Sequence, residues 1–151
     1  MPDWLTAEQR SRNMAAIRSS GTSPEARLLA ALKVTFPRRK IIERPRELPG
    51  KPDFYLPGFR LAIFADGCFW HGCPVHGRTP DDNQSYWVPK LARNKARDRE
   101  AGRALRLLGI RPVRLWEHEL AKAAIDGAVR KVVRASLKEP LRTRGGRVTS
   151  N

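Results

Sequence analysis

The chain has 151 residues, enough for one domain with a real core. Its 30 Lys+Arg against 15 Asp+Glu give a net charge of +15, which points to a polyanionic partner, nucleic acid first. There is no long uncharged apolar run, no signal-peptide pattern in Met1-Pro2-Asp3-Trp4, and only two cysteines, so a membrane surface ranks second as partner, no disulfide framework is expected, and a cytoplasmic location is favoured.

Thr6-Ala7-Glu8-Gln9 has the form of a capping box and predicts a helix to about Ile17, with Arg10, Arg12 and Arg18 on a surface poor in large apolar groups. Such a helix reads either as a solvated face or as an arm on DNA, with Arg10, Arg12 and Asn13 near phosphates and Met14 as an apolar wedge. Ser23-Pro24-Glu25 opens a second helix, with Ser23 as N-cap, Pro24 at the first position and Leu28, Leu29 and Leu32 facing the core. Glu25 there complements the positive helix end.

Arg38–Glu43 reads as an edge strand blunted by charge. Two short strands follow, one opened by Asp53 and one over Leu61–Ala65, joined at Pro57-Gly58 and closed by Asp66-Gly67. Gly72 to Ser85 reads as loop. Tyr86-Trp87 precedes a basic helix from about Pro89 to Leu108, ended by Gly109. Arg111–Trp116 is a further strand, and a last helix runs from about Leu120 to Leu137 with Ile125, Val129, Val132 and Val133 inward. Residues 1–137 form the predicted domain and 138–151 a basic, disordered tail.

The chemistry gathers around the Leu61–Ala65 strand. Pro52-Asp53 ahead of a hydrophobic strand is the first half of a PD…(D/E)xK nuclease pattern, but the next strand offers Asp66 and no lysine. Carboxylates can hold Mg²⁺ against a phosphodiester, and His71 is the nearest group that could act as base or acid. Residues 68–76 also hold both cysteines and two of the three histidines. Cys68, Cys73 and His76 have ligand spacing for a structural zinc, with His71 or His118 as the fourth ligand. Two function classes follow: a metal-dependent nuclease, or a zinc-containing DNA-binding module without catalysis. A binding module has no need of Asp53 and His71 at a strand end.

Several segments resemble the very short patch repair (Vsr) DNA mismatch endonucleases, in that family's order. They are Arg10–Ile17, Leu48–Phe54, Phe64-Ala65-Asp66-Gly67-Cys68-Phe69-Trp70-His71, Tyr86-Trp87, Asn94–Arg99 and Leu115-Trp116-Glu117. The resemblance implies an α/β fold of the restriction-endonuclease (PD-(D/E)xK) type, a central mixed sheet flanked by helices, with a structural zinc site. It implies a monomeric enzyme that nicks one strand of duplex DNA beside the T of a T:G mismatch and so initiates very short patch repair. Another lesion or foreign DNA is the alternative target, and recruitment by a mismatch-repair protein is left open.

On that resemblance Asp53 and the backbone carbonyl of Ala65 hold catalytic Mg²⁺, His71 activates water, and Glu25 supports the site. Asp66 is a metal-shell helper, a partner of His71 or a turn residue. Zn²⁺ is held by Cys68, Cys73, His76 and His118, the last in a place where relatives carry a cysteine ligand. Phe69, Trp70 and Trp87 enter the mismatched step from one groove and Met14 from the other, unstacking bases as aromatic and apolar wedges do. Arg10, Arg12, Asn13, Asn94, Lys95 and Arg97 complete the expected DNA contacts.

Overall fold

The computed structural model describes residues 23–75 and 81–141. The expected N-terminal helix with Arg10, Arg12, Asn13 and Met14, the ligand His76 and most of the basic tail lie outside the described residues. Helix α1 spans Ser23–Thr35 with Pro24 in its first turn, where the missing N–H has no helical acceptor to lose. Leu28, Ala31 and Leu32 recur on one face and are buried, with Leu29 partly buried beside them.

Strands β1 (Ile42–Glu43), β2 (Phe54–Leu56), β3 (Leu61–Asp66) and β4 (Arg111–Trp116) form one sheet in that order. The β1–β2 and β2–β3 pairs are antiparallel and the β3–β4 pair is parallel, so the sheet is mixed. Strand β1 is shorter than the charge-blunted edge expected from residue 38. Arg39 leaves the ladder and sets its guanidinium over the Phe59 ring at 4.6 Å.

Alternation along β3 divides the core. Leu61 and Ile63 pack with α1, Leu115 and the last helix, α4 (Ile125–Ser136), through Ile125, Ala128 and Val132. Ala62 and Phe64 pack on the other face with Leu105 and Ile110. Leu105 belongs to the long helix α3, Gln84–Leu107. Burial on both faces explains why β3 is an apolar run rather than an alternating one. Each fully buried leucine contributes roughly 1.5–3 kcal/mol.

Helix α3 starts five residues earlier than its proline suggested. The N–H groups of Tyr86 and Trp87 both reach the Asn83 carbonyl, at 2.9 and 3.1 Å, and close a first turn ahead of Pro89. The carbonyl that Pro89 leaves without its helical donor belongs to exposed Ser85, where water can satisfy it. The helix ends as expected, with Gly109 at φ +77° and Ile110 N–H bonded to the Leu105 carbonyl. The last helix is preceded by a separate 3₁₀ turn, Glu117–Leu120. There the Leu120 carbonyl accepts from Arg27 Nη1 at 2.6 Å, which takes it out of any continuing helix. Among the described residues no helix is long and apolar enough to cross a membrane.

Because β2 runs against β3 while β4 runs with it, Asp53, Asp66 and Trp116 all come to one end of the sheet. Gly50 lets the chain enter that end. It has φ +77°, and a Cβ there would lie 2.6 Å from Ala101 Cβ of α3.

Candidate active site

Asp53 lies just before β2, where its own N–H still bonds to the Ile63 carbonyl at 2.9 Å. Its carboxylate accepts from Ala65 N–H at 2.7 Å. The N–H and C=O of one strand residue point the same way, so the Ala65 carbonyl also faces Asp53, beyond the end of the β2 ladder. Burial pushes the Asp53 carboxyl up to about 6, against the Ala65 hydrogen bond, and the nearby Glu25 and Asp66 carboxylates push in the same direction as burial. Glu25 comes from the first turn of α1 and has its own cation, Arg44 Nη2 at 3.4 Å. Carboxylates crowded at a partly buried strand end form a site whose repulsion a divalent cation would relieve.

His71 stands on the opposite side of Asp66. It closes α2, the single turn Cys68–His71, which Gly72 terminates in the left-handed region at φ +68°. A Cβ on Gly72 would run into the Lys95 side chain, so the glycine lets α3 pass close behind the histidine. His71 Nδ1 lies 2.6 Å from Asp98 Oδ2 of α3, and its Nε2 lies 3.9 Å from Asp66 Oδ1. With Nδ1–H donated to Asp98, Nε2 is left with a lone pair directed to the site.

Asp66 is the one buried charged side chain among the described residues, 3% exposed. Arg114 Nη1 bonds both of its oxygens, at 2.8 and 3.0 Å, and lies 3.6 Å from Asp98 Oδ1. The guanidinium also covers the Phe64 ring at 4.1 Å. Asp66 therefore touches both halves of the site: it acts electrostatically on Asp53 and lies within ligand range of His71 and Asp98. Asp53 is not part of that trio.

Cys68 Sγ and Cys73 Sγ lie 3.3 and 3.6 Å from His118 Nδ1. Thiolate and imidazole ligands on one tetrahedral Zn²⁺ stand about 3.6 Å apart, given bonds of about 2.3 and 2.05 Å. The trio thus fits three corners of such a site. Burial, first among the causes, raises the Cys68 thiol above its ordinary value, and a bound cation would reverse that by favouring thiolate. His71 points away from the thiols toward Asp98, so of the two histidines left open by spacing it is His118 that joins them.

The aromatics form one cluster beside His71. Phe69 meets Trp70 edge-on at 5.0 Å and Trp87 at 5.4 Å, Trp70 and Trp87 are 5.8 Å apart, and Tyr86 adds a further edge contact to Trp87 at 4.9 Å. Lys90 Nζ sits over Trp70, Tyr86 and Trp87 at 5.2, 5.2 and 5.7 Å. Trp70 is 44% exposed and Tyr86 55%, while Trp87 is half-buried. Asn94 donates to the Trp70 carbonyl at 3.3 Å and thereby ties α2 to α3, and Lys95 and Arg97 are exposed on α3. Sequence reasoning missed Asp98, Arg114, Tyr86 and Lys90 as members of the site. The signals for Asp98 were that it is one of two acids, with Glu100, on a basic helix, and that it falls in the resembling segment Asn94–Arg99. Arg114 gave none, because an arginine in a short strand reads as a solvated residue.

The family model described as DNA mismatch endonuclease Vsr matches residues 2–76. The type II nicking enzyme V.NaeI of Lentzea aerocolonigenes is 46% identical over 123 residues, covering 80% of this chain and 74% of that protein. The type II nicking enzyme V.XorIIP of Xanthomonas oryzae pv. oryzae is 35% identical, over 88% of this chain and 98% of its own length. The DNA mismatch endonuclease Vsr of Escherichia coli K12 is 36% identical, over 78% of this chain and 74% of its own. With a mixed sheet flanked by helices and similarity of this extent, the chain belongs to the Vsr family of endonucleases.

Proposed function

We propose that this protein nicks one strand of duplex DNA beside the T of a T:G mismatch, by Mg²⁺-dependent hydrolysis of a phosphodiester. The observation that carries the reading is the convergence, at one sheet end, of the Asp53–Glu25 carboxylates with the Asp66–His71–Asp98 group, next to exposed aromatics on a basic surface. A zinc-containing module that only binds DNA has no use for a partly buried carboxyl pushed up to about 6, nor for a histidine fixed by a carboxylate.

Asp53, the Ala65 carbonyl and Glu25 supply hard oxygen donors suited to Mg²⁺, which when bound would polarise the phosphoryl group and offset developing charge. His71 takes a proton from the attacking water at Nε2. Asp98 holds the ring in the required tautomer and, with Asp66, stabilises the imidazolium that forms. Arg114 bridges the two carboxylates and offsets their mutual repulsion, which holds both beside His71. Cys68, Cys73 and His118, completed by His76, would hold a structural Zn²⁺ that anchors α2 to the end of β4. Phe69, Trp70 and Trp87, packed in advance with Lys90, are presented as a wedge. A mismatched step costs less to unstack than a paired one, which gives a physical source of selectivity.

The chain acts as a monomer in this reading, with a mismatch-repair protein as its candidate partner. Nicking of a panel of labelled duplexes, matched and carrying each mismatch in varied flanking sequence, tests the proposal. Cleavage confined to T:G duplexes and dependent on Mg²⁺ is the expected result. Equal cleavage of matched duplex would leave a nuclease and remove the mismatch reading. The names of several relatives, type II nicking enzymes, favour nicking over double-strand cleavage if the target proves different.

A further inference from the structure

We infer that the groove between α3 and β4 is a phosphate track for the cleaved strand, gripping the duplex on the side of the nick opposite the aromatic wedge. The inference rests on the endonuclease reading above and adds a second contact region to it. The groove has a volume of about 840 Å³ and begins at His71 and Gly72. It continues along α3 past Lys95, Arg99, Arg103 and Arg106 to Pro112, at the start of β4.

Three observations set this stripe apart from an ordinary solvated face. First, the acids that line the groove are already engaged, since Asp66 pairs with Arg114 and Asp98 with His71. Among the described residues no carboxylate lies within ion-pair distance of Lys95, Arg99, Arg103 or Arg106. Second, the four cations follow one another at four, four and three residues, so each neighbouring pair is a like-charge contact that mildly weakens the helix. A polyanion laid along the stripe removes that repulsion. Third, the groove has a floor. Gly102 is buried against Pro112, where a Cβ would lie 3.9 Å from the Pro112 ring and 3.4 Å from Arg106 Nη1, so the cations flank a concave surface rather than a convex one.

Helix α3 thereby orders the interaction along its length. Tyr86, Trp87 and Lys90 hold the wedge in its first turns, Lys95 and Asp98 meet His71 midway, and Arg99, Arg103 and Arg106 follow beyond the chemistry. From Asp98 to Arg106 the helix rises about 12 Å at 1.5 Å per residue. A duplex strand winds as it advances, so successive phosphates lie farther apart than the axial rise of about 3.4 Å, and a track of this length meets about two of them.

The test is equilibrium binding to a T:G duplex and to its matched counterpart across a salt series. It uses the full chain, Arg103→Gln/Arg106→Gln, and a control pair on the opposite sheet face, Arg130→Gln/Arg134→Gln. Each neutralised phosphate contributes about −0.9 to the slope of log K against log salt, so the groove pair should flatten the slope by about 1.8 on both duplexes. The control pair should leave it unchanged. Trimming the duplex to fewer than about two base pairs beyond the nick, away from the mismatch, should weaken wild-type binding and leave the groove variant indifferent. An unaltered slope in the groove variant, or an equal loss in the control pair, overturns the inference. All four arginines are exposed, so thermal melting should match wild type; single Arg103→Gln and Arg106→Gln variants, each expected to flatten the slope by about 0.9, decide the matter if the pair melts early. Failure of the wild type to nick any T:G duplex would count against the proposed substrate, whereas the slope on matched duplex reads the groove by itself.

Discussion

Asp53→Asn should stabilise the metal-free protein near neutral pH while removing its activity. The Asp53 carboxyl is raised from 3.8 to about 6, chiefly by burial. A carboxyl raised on folding binds its proton more tightly in the native state. Its contribution is therefore fully present below about pH 4 and is lost as pH rises through 6. At about 1.4 kcal/mol per pH unit the full difference is about 3 kcal/mol, and partial solvent access reduces it to about a third of that at the low end, so about 1–3 kcal/mol is expected. Asparagine keeps an oxygen to accept from Ala65 N–H and turns an amide donor toward the carboxylates, with no charge to desolvate. For a chain of this size that gain corresponds to a rise in Tm of roughly 3–10 °C at pH 7.5. Thermal melts of the two proteins at pH 4 and pH 7.5, with chelator and then with Mg²⁺, read the effect. The advantage of the variant should vanish at pH 4, and Mg²⁺ should raise the melting temperature of the wild type more than that of the variant. An Asp53→Asn protein no more stable than wild type at pH 7.5, or equally favoured at both pH values, would refute the reasoning about crowded carboxylates.

His71→Ala should retain its fold and zinc content yet lose nicking by about 10²–10⁴-fold, the usual contribution of a general base. His118→Ala should instead lose zinc, measured by metal analysis, and melt earlier; the reverse pattern would exchange the two histidines' roles. Asp98→Asn should reduce the single-turnover nicking rate roughly 10–100-fold with DNA affinity little changed, because it weakens the group that orients the His71 ring. Phe69→Ala and Trp70→Ala should bring the affinities for T:G and matched duplex together without altering the salt slope, and normal discrimination by both would end the wedge idea.

The sheet was legible because its strands obey local rules. An apolar run closed by Asp66-Gly67, and a proline at the second residue of Arg111–Trp116, define β3 and β4 without reference to any distant contact. Boundaries that depended on such contacts were misplaced. Pro89 reads locally as a first-turn residue, but the aromatic cluster with Phe69 and Trp70 stabilises one more turn ahead of it. The Leu120 carbonyl reads as helical, but it accepts from Arg27 Nη1 of the distant first helix and ends a 3₁₀ turn instead.

The same division runs through the site. By its sequence alone the chain declared Asp53, His71, the cysteines and the aromatics, since each has a residue type and spacing tied to one chemistry, and the family resemblance gave them roles. Spacing left open which histidine faces the thiols; the resemblance pointed to His118, and the three-dimensional arrangement places it there. Cys68 and His118 are 50 positions apart, and it is the parallel pairing of β3 with β4 that brings the ends of both strands, and so these two side chains, together. Asp98 and Arg114 became part of the site for the same reason. No local signal pairs them with Asp66 or His71, because an ion pair is specified by the direction of two side chains from separate elements, and direction is fixed only when α3 packs across the face of β3 and β4 that bears Asp66.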